Sequence, residues 1–410
     1  MTKLCSWFFF ICTYSYLPAT TFIVSVDVHS LRISQAIERS KDGDTIQLMK
    51  GVYKEKNIVC TKSLSICGNQ SILDGENRYE ILTVSGHHFH IEGIEFRNSG
   101  YSSLNDYAAL KIIDAHHFEI VDNKFTNSYF AIHINNSNNG LIQNNTIQGA
   151  SKTEQSSGNG IHLWKCHDMT IQSNRIAGQR DGIYFEFVTQ SKILSNYSTQ
   201  NVRYGLHFMY SSYDEYRNNE FVHNGAGVAV MYSQHVRMLQ NKFIENWGAS
   251  AYGILLKDIS DGSISQNTFT GNTVALHLEG VSRMMIDQNK FNSNGWGIKI
   301  QASCTDNEFT KNNFSQNTFD VTTNSTLSLN SFDQNYWDQY TGYDLNKDGY
   351  GDIPFRPVNL YATIVEKYDF SILFLKSFIV HLLNQAEKII PSVTPTDLVD
   401  HRPIIKPYPL

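Results

Sequence analysis

A four-residue phrase runs through the middle of the chain: a small residue, then apolar, variable, apolar. It occurs at Ala109-Leu-Lys-Ile, Ala131-Ile-His-Ile, Gly160-Ile-His-Leu, Gly182-Ile-Tyr-Phe, Gly205-Leu-His-Phe, Gly227-Val-Ala-Val, Gly253-Ile-Leu-Leu, Ala275-Leu-His-Leu and Gly297-Ile-Lys-Ile. The steps between copies are 22, 29, 22, 23, 22, 26, 22 and 22 residues. An Asn-x-apolar triplet keeps step with it, at Asn123, Asn145, Asn174, Asn219, Asn241, Asn267 and Asn289, and Asn196-Tyr-Ser198 breaks the triplet. Alternation of apolar and variable positions is the period of a β-strand, with the second and fourth residues on one face and the third on the other.

No single unit carries enough apolar side chains for a core of its own, so the units must stack. Each strand then pairs in parallel with its counterpart about 4.8 Å above or below. Asn at a fixed turn position suits a polar ladder along the stack, each amide bonding the next and tolerating left-handed backbone. The predicted fold is all-β, a right-handed single-stranded parallel β-helix of ~22-residue coils, the solenoid of pectin lyases and their relatives. The longer steps place loops at 150–159 and 245–252, and a further polar insert lies at 98–107. Leucine-rich repeats of similar period need a Leu-rich consensus that is absent.

Upstream, Leu31, Ile33, Ala36 and Ile37 have the spacing of one short helix, ended by Asp42-Gly43, with a strand at Thr45–Leu48. Such a helix would plug the first coil. After about residue 330 the repeat ends in an aromatic and acidic stretch, followed by Pro354, Pro357 and an unrelated tail. Within the tail, Phe370 to Leu383 is apolar and helix-like, with Lys376 as its charge, and is too short to span a bilayer. Its uses are capping the core or docking into a partner's groove. The docking candidates are Phe370, Ile372, Leu373, Phe374, Phe378, Leu382 and Leu383. The expected organisation is an export signal at 1–24, a solenoid at 25–335, an acidic aromatic loop at 336–357 and a docking tail at 358–410.

The export signal rests on Lys3, the apolar run Leu4 to Leu17 and small residues from Ala19. A net charge of −6 argues against a nucleic-acid protein, which needs a basic face. Cys60, Cys67, Cys166 and Cys304 remain after the signal, without a C-x-x-C pair, and Cys60 and Cys67 read as buried small apolar residues, with pairing across a turn as the alternative.

Four constellations carry candidate chemistry. The variable position of the phrase forms an outward column in which His133, His162 and His207 recur. Met209 and Met231 form a second column beside it. Imidazole and thioether donors suit copper, the thioethers Cu(I) in particular. His87-His88-Phe-His90 in one early unit matches His116-His117-Phe-Glu119 in the next, which puts four imidazoles, His87, His88, His116 and His117, on one edge where a transition metal could sit. Asp344, Asn346, Asp348, the Tyr350 carbonyl and Asp352 surround Gly349 like the first half of a calcium loop, although Phe355 stands where an EF-hand has Glu. A polysaccharide-cleaving site would need gathered carboxylates, and Asp181, Glu186, Asp258 and Glu279 are spread over different coils.

Several stretches are more specific than the coils. Asp181-Gly-Ile-Tyr-Phe-Glu-Phe187, Arg203-Tyr-Gly-Leu-His-Phe-Met-Tyr210, Gly227-Val-Ala-Val-Met-Tyr-Ser233 and Ser250-Ala-Tyr-Gly-Ile-Leu-Leu-Lys-Asp258, with Asn335-Tyr-Trp-Asp338, Gly342-Tyr-Asp-Leu345 and Val399-Asp-His-Arg-Pro403, resemble the NosD family of nitrous oxide reductase maturation proteins. The resemblance implies a periplasmic protein without enzymatic activity, working with an ABC transporter's ATPase and membrane subunit to assemble a copper–sulfide centre. It implies contact with the reductase or a copper chaperone, and docking of the C-terminal segment on the membrane subunit. The competing expectation is a secreted carbohydrate-binding or carbohydrate-cleaving β-helix.

Overall fold

The computed structural model describes residues 19–27, 29–102, 106–151, 153–325, 327–390 and 398–410. Lys3 and Leu4 to Leu17, read as the export signal, lie outside the described residues. Thr21–Val24 is already the first strand, paired parallel with Thr45–Leu48, and Val24 is fully buried. Among the described residues the first strand of the solenoid is therefore Thr21–Val24, which lies ahead of residue 25.

All strand–strand pairings are parallel. One face is a twelve-stranded sheet running from Ile58–Cys60 to Phe319–Thr323. Two further faces merge through the long strands Ser65–Asp74 and His90–Arg97 into a 25-stranded sheet. The predicted phrases form the twelve-stranded face in the predicted register, with Ile132 opposite Ile161 and Leu206 opposite Val228. Their second and fourth residues line the core. So do the apolar members of the Asn triplets: Phe221, Phe243, Phe269, Phe291, Phe314 and Trp337 stack with ring centroids 5.4, 4.7, 4.9, 4.8 and 4.2 Å apart. That spacing is the coil repeat itself.

The Asn ladder is continuous from Asn123 to Asn335. Each side-chain amide donates to the side-chain oxygen of the next coil's Asn, as from Asn219 to Asn241 at 3.0 Å, and to a carbonyl below it, here Ile193 at 2.9 Å. The same oxygen accepts the neighbour's backbone N–H. The left-handed residue of each turn is the one preceding the ladder Asn, for example Asn218 at φ 56° and Gln240 at φ 53°. The expectation that the ladder Asn itself takes that backbone is corrected. Asn196 keeps its place, bonded to Asn174 and Asn219. The anomaly is Ser198, buried in the Phe column, where it donates to Gly205 O and accepts from Asn201, both at 2.9 Å. Asn201 begins a second ladder through Asn224, Asn246, Asn272 and Asn294 to Asn317.

Helix α1 (Ile33–Arg39) covers the N-terminal end with Ile33, Ala36 and Ile37 buried. Its ends are satisfied by the first coil. Glu55 accepts from the Ile33 and Ser34 N–H groups at 2.8 and 3.1 Å, and Lys62 Nζ donates to the carbonyls of Ile37, Glu38 and Ser40.

The expected tail at 358–410 divides into two parts of different kind. Residues 398–410 close the solenoid: Leu398 and Val358 join the core with Phe332 and Trp337, and fully buried Asp400 ends the first ladder. Its Oδ2 accepts from Asn335 N, Asn335 Nδ2 and Trp337 Nε1 at 3.0, 3.1 and 3.0 Å. Residues 360–390 form helix α2 (Leu360–Lys367), a 3₁₀ turn at Asp369–Phe374 and helix α3 (Phe378–Ile389). The single helix expected over Phe370 to Leu383 is broken because Ser377 caps a new one, accepting from Val380 N. These helices lie on the outer face of the last phrases, where Tyr361, Ala362, Val365 and Val380 pack on Phe319 and Trp296.

Candidate functional site

The outward column of the twelve-stranded face runs Lys111, His133, His162, Tyr184, His207, Ala229, Leu255, His277, Lys299 in unbroken register. His133 and His162 are direct neighbours, edge to face with ring centroids 4.6 Å apart. Tyr184 separates them from His207. Met209 lies directly beside Met231, with Glu186 and Lys257 on either side. The structure thus brings the five predicted copper ligands together as two adjacent pairs and a separate His207.

The column faces outward without being open to water. His133 and His207 are only 3% and 5% exposed. Phe130 stacks on His133 at 5.0 Å. Beside His207, fully buried Asp181 accepts from Arg203 Nε at 2.9 Å and from its Nη2, and the carboxylate lies 3.9 Å from His207 Nδ1. Burial works to raise the Asp181 carboxyl, but the Arg203 hydrogen bonds outweigh it and bring the pKa down to about 2. Burial holds His207 below the ordinary imidazole value even against the Asp181 charge. His133 Nδ1 and His207 Nε2 are buried without a hydrogen-bond partner. Neutral, unpartnered imidazole nitrogens beside thioethers fit copper in donor type, although only pairs of them adjoin.

Burial lowers His133 to about 4. Its ordinary value is about 6.5. Below that pH the unfolded chain binds a proton that the folded chain does not, so stability is lost as pH falls from 6.5 toward 4. The loss approaches about 3 kcal/mol at the acid limit. His133→Phe is expected to flatten this part of the acid slope in denaturant titrations at pH 7 and 4.5; an unchanged slope would refute the assignment.

The turn edge of the early coils carries a tighter group. His88, His116 and His117 place one ligand nitrogen each within 4.8 Å of one another, and among the described residues they are the one such group of three or more His, Cys, Asp or Glu. His116 Nδ1 lies 3.1 Å from His117 Nδ1, His87 stacks on His116 at 3.7 Å, and His88 on His117 at 5.0 Å. His90 is held apart by Glu92 and Glu119, each at 3.0 Å. Sequence reading placed these imidazoles on one edge, and the register of successive turns is what selects three of them.

In the acidic loop, Asp344 accepts from the backbone N–H groups of Asp348 and Gly349, Asn346 from Asp348, Asp348 from Tyr350, and Asp352 from Leu345. The loop's own amides thus satisfy its oxygens as an Asx-turn cluster. Asp344, Asp348 and Asp352 do not gather. Nor do the candidate catalytic carboxylates: Asp181 is held by Arg203, Glu186 accepts from the Tyr184 hydroxyl, and Glu279 pairs with Lys257. Cys60, Cys67, Cys166 and Cys304 are free.

On the terminal helices, Phe370, Leu373 and Phe378 are 68%, 83% and 73% exposed, and Ile372, Phe374 and Leu382 are exposed with them, while Leu383 is half-buried. None of the described helices is long and apolar enough to cross a membrane.

Known proteins with the same coil include a surface adhesin of Streptococcus pneumoniae, PfbA. It shares 14% identity at a TM-score of 0.51, covering 74% of this chain and 87% of that one. The family 28 exopolygalacturonase of Yersinia enterocolitica shares 12% identity at a TM-score of 0.55, covering 75% and 77%. At such identities the likeness is one of fold. A Pseudomonas aeruginosa protein named as a probable ABC transporter binding protein NosD is 26% identical over 415 aligned residues, covering 89% of each chain. Residues 143–350, half of the chain, match the model of the family described as periplasmic copper-binding protein (NosD). That match spans both outward columns from His162 onward and the acidic loop as far as Tyr350, and by it the chain belongs to the NosD family of periplasmic copper-binding proteins.

Proposed function

We propose that this protein is a non-catalytic scaffold that docks through residues 360–390 onto the membrane subunit of an ABC transporter and assists assembly of the copper–sulfide centre of nitrous oxide reductase. The observation that carries the docking is the row of exposed apolar side chains from Phe370 to Leu382 on helices already anchored to the solenoid. A contiguous apolar surface of this kind marks an interaction site. Anchoring through Tyr361, Val365 and Val380 holds it in place before any partner arrives, which lowers the ordering cost of binding. The name of the P. aeruginosa relative, an ABC transporter binding protein, supports the choice of partner. Against a carbohydrate-cleaving reading stands the engagement of the candidate carboxylates, Asp181 by Arg203 and Glu279 by Lys257.

A photo-crosslinking residue at Leu373, in cells that also make the transporter, is expected to trap the membrane subunit. The same residue at Met285, exposed on the opposite part of the coil, is expected not to. Crosslinking from Met285 alone would overturn the reading.

A further inference from the structure

The geometry points to a transition-metal site at the turn edge of the early coils, in which His88, His116 and His117 bind one borderline divalent cation, Cu(II) most tightly. Two imidazole nitrogens sharing an ion at about 2.0–2.1 Å, with an angle between about 90° and 110°, lie about 2.9–3.4 Å apart. The 3.1 Å between His116 Nδ1 and His117 Nδ1 falls in that range. A hydrogen bond between the two rings would account for that distance, but not for the third nitrogen gathered within 4.8 Å.

The fold does not require imidazoles here. His117 takes left-handed backbone at φ 55°, and the same turn position in the following coils is filled by Asn139, Asp168 and Gln190 at φ 51°, 54° and 56°. Any of several polar residues serves that turn. The rings are also held in place. His87 lies flat on His116 and His88 on His117, while the next residues in sequence, Phe89 and Phe118, are buried and stack on each other at 5.0 Å, which fixes the backbone of both turns. A site built on a rigid platform loses little by ordering. With nitrogen donors alone, divalent borderline metals are favoured over Cu(I), and Cu(II) heads the affinity order. This site is distinct in donors and position from the His–Met columns and does not rest on the docking reading.

The test is titration of the full metal-free protein with Cu(II), read by calorimetry and by nitrogen hyperfine splitting in electron paramagnetic resonance. The comparison is with a His88→Asn, His116→Asn, His117→Asn variant, the replacement that Asn138 and Asn139 already make one coil later. One Cu(II) with two or three imidazole nitrogens is expected in the parent, with at least a 100-fold loss of affinity and of that splitting in the variant at unchanged circular dichroism. His133→Asn is expected to leave this site unaltered. Equal Cu(II) affinity in parent and triple variant, or loss of the signal in His133→Asn alone, would overturn the proposal.

Discussion

Asp400→Ala is expected to unravel the C-terminal coils while leaving the middle of the solenoid intact. One carboxylate oxygen accepts Asn335 N, Asn335 Nδ2 and Trp337 Nε1, and the other accepts Arg402 N at 3.1 Å. Asn335 and Trp337 are themselves buried. Truncation to Ala leaves these donors unmatched, at about 1–3 kcal/mol for each that water cannot reach, and the loss is expected to be on the order of 4 kcal/mol. Because each coil touches only its neighbours, the damage stays local. Hydrogen exchange should show lost protection across Asn313–Ser315 and Tyr336–Trp337, and none across Gly227–Val230. Asp400→Asn retains one acceptor oxygen and should lose less. Uniform destabilisation along the whole solenoid would contradict the capping role.

The same residue changes how the tail can be tested. A chain ended after Pro357 would lose Asp400 and Leu398 as well as the helices, and would confound docking with unfolding of the last coils. Nothing in the composition of 398–410 signals this return. The Asp400–Asn335 contact spans 65 residues and depends on a coil end that local pattern does not describe.

What was legible followed from period. The Gly-Leu-His-Phe and Gly-Val-Ala-Val phrases repeat because the core demands the same side chains every coil, so sequence spacing translates directly into register, His207 opposite Ala229 and Met209 opposite Met231. The second Asn ladder is just as periodic, yet its Asn-x-apolar pattern holds at Asn224, Asn272, Asn294 and Asn317 and fails at Asn201 and Asn246, so it stands out less than the first. Burial of the outward column was not legible either. An outward position in one strand is covered by neighbours that come from elsewhere, such as Phe130 over His133 and Arg203 beside His207. The His88–His116–His117 group shows the reverse: its residues were visible, but only the stacking of two turns brings one nitrogen from each together.

Docking is where the largest functional effect is expected. Leu373, Phe374, Phe378 and Leu382 are exposed and take no part in the cluster that anchors the helices. Changing them to Asp should therefore spare the fold, whereas charge in an apolar interface costs several kcal/mol, enough to lower affinity at least 1,000-fold. The most direct measurement is co-purification of the transporter's membrane subunit with the full chain carrying Leu373→Asp, Phe374→Asp, Phe378→Asp and Leu382→Asp. The account predicts loss of the membrane subunit with circular dichroism and solenoid hydrogen exchange unchanged. Undiminished co-purification of that variant would contradict it.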